Sequence, residues 1–386
     1  MPSSEEGERF VAAARALHPR ILACREEIES GRRLPPSLVQ AMKNAGLFSL
    51  SMPRAWGGPE VDPTTQVRVV EALSMADASV GWAAMLGLHA GFFSAFLDES
   101  AAREMYVDLD AFTGGVTRPT GKAAVVPGGY RVSGRWSFGS CCEHSEWLFS
   151  GCVVIEDGEP RKAADGGIET RLCYLPGDAV QVIDTWTTTG LRGTGSHDYA
   201  VDDLFVPVAR GFDPQRAPIR WTAPLYGVRN MYLVNLAGIP LGVARASIDY
   251  VVELAEGKLT RIGSALRDEA HVHAALARAE ALVGSARGFV FETVEEIWAG
   301  LVAGRPATAR QHALFRHSIC NAYDMCVEAV DLMFKTASGT ALYAFSPLDR
   351  HFRDIHTAAQ HFVVSTKIAE AAGRVMLGLK PGVPSF

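Results

Sequence analysis

The stretch Ser346-Pro-Leu-Asp-Arg-His-Phe-Arg-Asp-Ile-His-Thr-Ala-Ala-Gln-His361 lies in the last of several long helical patterns, 347–379. Seven steps of a 3.6-residue helix bring Asp354 and His361 onto nearly the same face, with His356 about 140 degrees away from His361. A histidine with an ordinary pKa of about 6.5 can take a proton from a phenol or amine near neutral pH, or donate a hydrogen bond. His361 is therefore the leading catalytic candidate, and His356 reads as structural.

Outward from this stretch, everything after Pro224 is helical, roughly 225–258, 264–302, 307–338 and 347–379, with short connections at Gly304-Arg-Pro306 and Ser338-Gly339-Thr340. An up-and-down four-helix bundle is the economical arrangement. Between about Phe112 and Pro207 the apolar period becomes two, with Gly128-Gly129 as a tight turn and strand-like runs at 130–138, 147–155, 170–175, 180–186 and 198–206. That region predicts a compact antiparallel β-barrel or sandwich. The first third returns to helical spacing at Phe10, Ala14, Leu17 and Ile21, and again over 62–105, separated by an ordered loop at 47–58. The expected domains are 1–111, 112–215 and 216–386: mainly α with a central antiparallel β domain.

A chain of 386 residues, 48% hydrophobic and 21% charged, can bury a large core. The net charge of -6 and a pI near 6.0 argue against a broad basic footprint for nucleic acid or an anionic membrane. The apolar run 233–244 is far short of the roughly 20 residues that span a bilayer. Seven cysteines, two of them adjacent at Cys141-Cys142, make a poor disulfide framework. Together with an N-terminus lacking basic and apolar leader regions, this leads us to expect a cytoplasmic protein. His271-Val-His273 and Glu143-His144 lack zinc-ligand spacing, so no metal is expected. There is no Gly-x-Ser-x-Gly elbow, and no Gly-x-Gly-x-x-Gly dinucleotide fingerprint.

Six short motifs occur in order: Leu47-Phe48 to Gly57-Gly58, Asp77-Ala-Ser-Val-Gly-Trp82, Gly128-Gly-Tyr-Arg-Val-Ser-Gly-Arg-Trp-Ser-Phe138, Gly190-Leu-Arg-Gly-Thr-Gly-Ser196, Phe205-Val-Pro207 and Arg353-Asp354. In this order the chain resembles the acyl-CoA dehydrogenase fold over nearly its whole length, which implies N-terminal helices, a β-barrel and a C-terminal four-helix bundle. In that family an Arg-Asp pair is followed eight residues later by a glutamate base. Here that position is Phe362, and His361 stands one residue earlier. Within the superfamily the combination is similar to the two-component flavin-dependent monooxygenases. The resemblance implies reduced flavin (FMNH2 or FADH2) from a separate NAD(P)H:flavin reductase, O2 as co-substrate, hydroxylation of an aromatic or phenolic molecule through a flavin C4a-hydroperoxide, and a homotetramer. N-oxygenation of an amine or amino sugar, an acyl-CoA dehydrogenase and a non-catalytic ligand-binding oligomer remain as alternatives.

The resemblance also distributes site roles. His89 lies in the apolar helix Met85-Leu-Gly-Leu-His-Ala-Gly91, where a buried ring needs a partner and where relatives place polar groups beside substrate or flavin. Trp136, Phe138 and Ser140 alternate along a strand and so share a face. On the family pattern that face meets the isoalloxazine, with Ser140 near N5, although Trp136 and Phe138 also suit barrel core. Cys141 stands where many relatives have glycine. Arg261, within Thr260-Arg-Ile-Gly263, is a candidate phosphate contact or a surface arginine. Ser338, Gly339 and Thr340 resemble a loop that meets a neighbouring subunit's flavin, and they also read as a glycine helix stop. The segment 192–197 is a ligand-side loop or a tight turn.

Overall fold

The computed structural model describes residues 5–260, 263–383 and 386. Helices α1 (Glu5–Ala16), α2 (His18–Ala23), α3 (Arg25–Gly31), α4 (Pro36–Asn44), α5 (Pro63–Ala76), α6 (Ala78–Gly87), α7 (His89–Ser94) and α8 (Glu99–Met105) come first. The α5 entrance is set by Pro63 in its first turn and by Asp62, whose carboxylate accepts the Thr65 amide. Asp77 caps α6 in the same way, accepting the Ser79 and Val80 amides. Every residue of α6 is buried, as an all-round apolar helix requires. Gly81 allows its close approach to α5, since a Cβ there would fall 1.8 Å from Ser74 Oγ.

The sheet contains β1 (Thr113–Val126), β2 (Gly129–Gly139), β3 (Trp147–Glu156), β4 (Glu159–Pro160), β5 (Thr170–Pro176), β6 (Gln181–Ile183), β7 (His197–Pro207) and β8 (Gly211–Phe212). Its order is β6-β7-β2-β1-β3-β5-β8, with β4 on β3. Two features correct the expected antiparallel barrel. β2 folds back at Gly128 along one edge of β1 toward its start, and β3 then begins beside Thr113 on the other edge, so β1 and β3 run parallel in register Thr113↔Trp147. The hydrogen-bonded path also ends at β6 and β8 without joining them, so the sheet is open. Its interior is filled by Val132, Trp136, Leu148, Cys152 and Tyr199.

The C-terminal layer holds α9 (Gly238–Gly257), α10 (Ala270–Val302), α11 (Ala309–Ala337), α12 (Pro347–Ala358) and α13 (Thr366–Met376). A capping box between Thr308 and Gln311 starts α11. The helical stretch Met231–Gly257 is long and apolar enough to cross a membrane by composition, yet 83% of its most apolar window is packed inside the fold. The predicted single helix 347–379 is two pieces. The chain leaves α12 after Ala358, and His361 is extended at φ -67 and ψ 133 before the short turn Phe362–Val364. The helical-face pairing of Asp354 with His361 therefore fails, and the break turns the two side chains to different neighbours. α6 packs against α12, β1 and the turn Arg192–Thr194. This junction builds the site.

Candidate active site

Beyond β2 the chain turns sharply, placing Ser140 against α6. The Trp82 indole N–H donates to Ser140 Oγ at 3.2 Å. Ser140 Oγ lies 2.7 Å from Ser196 Oγ, which lies 2.7 Å from Thr194 Oγ1. Thr194 donates to the Leu191 carbonyl at 2.8 Å. These buried hydroxyls form one continuous chain that joins the turn after β2 to the Gly190–Ser196 motif. Cys141 joins it by donating its amide to the Thr194 carbonyl at 2.7 Å, and does so in the left-handed region at φ 56. Glycine adopts positive φ without a Cβ penalty, so a residue with a side chain at this position carries backbone strain.

The other side of Trp82 faces His361, edge to face at 5.5 Å. His361 is held by its own turn, its Nδ1 accepting the Val363 amide at 3.4 Å. An accepting Nδ1 puts the proton of the neutral ring on Nε2. Burial lowers the His361 pKa to about 4, so near neutral pH the ring is uncharged and offers Nε2–H as a donor. Of the two roles open in the sequence, proton acceptor and hydrogen-bond donor, the geometry favours the donor.

His89 lies close by. Its ring is walled by Tyr232 at 4.8 Å, Phe93 at 5.5 Å and Phe149 at 6.3 Å. Both of its nitrogens are buried without a hydrogen-bond partner. Burial first, and then the adjacent His361, lower its pKa to about 3. A buried polar group left unpaired costs about 1–3 kcal/mol, so the fold maintains an unsatisfied donor and acceptor inside an aromatic chamber.

Asp354 belongs to the support of this site. Its Oδ1 accepts the Leu191 amide at 2.6 Å. Gly190 lies directly on α12, where a Cβ would come within 2.1 Å of the Arg353 carbonyl. Arg350 pairs with Asp77 at 3.0 Å and so ties α12 to the cap of α6. Burial, with the Asp77 charge adding to it, pushes the Asp354 carboxyl up to about 8.

The expected shared face of Trp136, Phe138 and Ser140 is absent. Pairing shifts between Trp136↔Tyr199 and Gly139↔His197, so Ser137 and Phe138 oppose Asp198 alone. This bulge rotates Phe138 outward at φ 65 and leaves it 71% exposed beside Trp186. Trp136 instead is fully buried, donates to the Gly151 carbonyl at 2.7 Å and stacks on Tyr199, leaving it no surface for a ligand. Ser338 and Gly339 are exposed, while Thr340 and the end of α11 are bound by Lys258 Nζ at 2.7 Å and 2.6 Å. Arg261 lies outside the described residues. His356 pairs with Asp331 at 2.9 Å and stays structural. A cleft of about 490 Å3 between α1 and the 44–59 segment is lined by none of these residues.

Trp82 and Tyr232 were not singled out in the sequence, and the Thr194–Ser196 pair was marked only as part of the segment 192–197. Trp82 and Ser196 sit inside quoted motifs, and a tryptophan on an all-buried helix needs a partner for its N–H. That need was the available signal.

A family model described as "Acyl-CoA dehydrogenase, N-terminal domain" matches residues 4–105, and one described as "Acyl-CoA dehydrogenase, C-terminal domain" matches residues 234–366. The chain belongs to the acyl-CoA dehydrogenase family of folds. Within it, relatives that match nearly end to end include enzymes described as monooxygenases, among them flavin-dependent monooxygenase oxygenase subunits. An indole-3-acetate monooxygenase of Acinetobacter baumannii is 29% identical over 364 residues, covering 93% of this chain and 91% of the relative. The flavin-dependent monooxygenase oxygenase subunit HsaA of Rhodococcus jostii is 29% identical over 359 residues, covering 90% and 92%. The structure of XiaF from a Streptomyces species in complex with FADH2 and glycerol is 25% identical with a TM-score of 0.92, covering 99% of this chain and 98% of that one.

Proposed function

We propose that this chain is the oxygenase component of a two-component system, using reduced flavin and O2 to hydroxylate a small aromatic or phenolic molecule. The observation that carries the reading is the aromatic chamber around His89, whose two open nitrogens sit beside the donor of His361. On this reading an electron-rich aromatic ring packs against those walls, its hydroxyl bonding to either nitrogen of the neutral His89 ring, or its N–H donating to the unprotonated one. Bound reduced flavin supplies two electrons to O2, so that one oxygen atom enters the substrate and the other leaves as water.

The residues present suit such a cofactor: Ser140 offers a hydroxyl oxygen, and Phe138 and Phe362 present exposed rings near the two polar clusters. His361 Nε2–H serves as a positioned donor toward the oxygen being transferred, and His89 fixes the substrate hydroxyl. Trp82 spaces the two clusters and helps exclude water. The relatives described as oxygenase subunits support a separate reductase as partner. Position 362 provides no carboxylate, which counts against acyl-CoA oxidation. The exposed Leu342, Tyr343 and Phe345 next to the Ser338–Thr340 loop support assembly with further copies, as a homotetramer. Light scattering reads that assembly, and a monomer would remove it.

The test supplies FMN or FAD with an unrelated NADH:flavin reductase and a panel of phenols, indoles and amines. At least one phenol or indole should yield a product one oxygen heavier. Oxidation of acyl-CoA thioesters with an electron acceptor, and no oxygenated product from the panel, would overturn the reading.

A further inference from the structure

The first motif, Leu47 to Gly58, meets the chamber from behind. Its residues 48–51 lie across the break between α6 and α7, where Leu88 ends one helix and precedes His89, the first residue of the other. Gly87 and Gly91 are four residues apart and so share a face. A Cβ on Gly87 would fall 2.4 Å from Phe48 Cδ1, and one on Gly91 2.1 Å from the Ser51 carbonyl oxygen, so both positions must be bare for the segment to seat. His89 leaves from the other side, toward Tyr232 and Phe149. Both oxygens of Ser51 are engaged. Its hydroxyl donates to the Leu88 carbonyl at 2.5 Å, and its own carbonyl accepts the Tyr226 hydroxyl at 2.8 Å. All three residues are buried.

Given the reading of His89 as the group that holds the substrate hydroxyl, we infer that Ser51 is the positioning residue for it. The Leu88 carbonyl belongs to the planar peptide unit that contains the His89 nitrogen, so anchoring it constrains the direction in which the imidazole departs. Tyr226 lies in the turn Pro224–Tyr226, just ahead of the turn Met231–Ala237 that carries Tyr232. The Tyr226 and Tyr232 rings both pack on Phe92 of α7, at 6.1 Å and 6.2 Å. Ser51 thus orients His89 through its hydroxyl and sets the Tyr232 wall through its carbonyl and Tyr226. It acts through His89 from behind α7. Without the hydroxyl the Leu88 peptide can tilt, and the imidazole with it. A misplacement of about 1 Å in a group that positions substrate can cost about 100-fold in rate.

Two changes separate the two contacts. Ser51→Ala removes the bond to Leu88 and keeps the backbone carbonyl that Tyr226 uses, and Tyr226→Phe does the reverse. The probe is the phenol or indole of the panel that the parent hydroxylates best. Ser51→Ala should weaken probe binding by about three- to tenfold, the worth of one neutral hydrogen bond, and raise the hydrogen peroxide released per reduced flavin. Tyr226→Phe should act in the same direction by less than about threefold. Affinity for reduced flavin, measured anaerobically, should stay within about twofold of the parent in both, which shows that the variants are folded. Repeating Ser51→Ala in a His89→Phe background leaves Ser51 nothing to position, so probe affinity should fall no further. A drop of equal size in both backgrounds, unchanged probe affinity in Ser51→Ala and Tyr226→Phe, or loss of reduced-flavin binding along with probe binding would overturn the role of Ser51 while leaving His89 as the substrate contact. A parent that hydroxylates no member of the panel, or a His89→Phe variant that binds the probe as tightly as the parent, would overturn the reading of His89 and the positioning role with it.

Discussion

The two halves of the site differ in how completely their polar atoms are satisfied. From Trp82 through Ser140, Ser196 and Thr194 to the Leu191 carbonyl, each group has a partner within 3.2 Å. Around His89 the walls are aromatic and neither ring nitrogen is bonded. Folded proteins pair nearly all their buried polar groups, and on the proposed function the unpaired half is the one that receives the substrate. On that reading the finished half holds geometry, and the unfinished half binds.

The largest expected effect breaks the comparison at its open side. His361→Ala should lower product formation by about 100-fold, as loss of one positioned donor does, and divert oxygen to hydrogen peroxide while reduced-flavin affinity holds. Single-turnover product yield against peroxide release measures this, and parent-like yield would make His361 structural.

Stability should separate the halves with opposite signs. Asp354→Ala strands the Leu191 amide and should destabilise by about 1–3 kcal/mol in chemical denaturation. His89→Phe removes two unpaired nitrogens from an aromatic chamber, so it should leave stability equal or raise it by about 1 kcal/mol while substrate affinity falls. A destabilised His89→Phe with normal substrate binding would reverse the assignment of the two halves.

Acid sharpens the same contrast. Burial lowers His89 to about 3 and His361 to about 4, whereas the unfolded rings titrate near 6.5. Below that pH the unfolded chain binds protons that the folded chain refuses. This contribution to stability is therefore complete above pH 6.5 and lost as pH falls toward 4 and 3. The melting temperature should drop between pH 7 and pH 5, less steeply in His89→Phe. The smallest effect belongs to Cys141→Gly, where relief at φ 56 opposes the loss of a small buried side chain, and stability should move by less than about 1 kcal/mol.

The layers were legible in the sequence because periodicity changes twice, near 112 and after 224, and because the helix entrances carry Pro63, Asp77 and Thr308. His89 and Ser140 were legible as polar residues in apolar or aromatic settings, and His361 through the resemblance, one residue before the family's base position. Three features were not. The break at 359–365 contains neither glycine nor proline, so periodicity ran through it. The Phe138 bulge depends on pairing with a strand about sixty residues away, which a local alternation rule cannot see. The hydroxyl chain joins Ser140 to residues 194 and 196 through a tertiary contact that no local pattern in the sequence marks.

On the proposed function, oxygen from O2 reaches an aromatic ring held at His89. Turnover under 18O2, with reductase-supplied reduced flavin and the phenol and indole panel, tests it most directly. The account predicts one 18O atom per molecule of hydroxylated product, with yield lost in His361→Ala. Product carrying oxygen from solvent water, or full conversion of reducing equivalents to hydrogen peroxide with every phenol and indole tried, would contradict it.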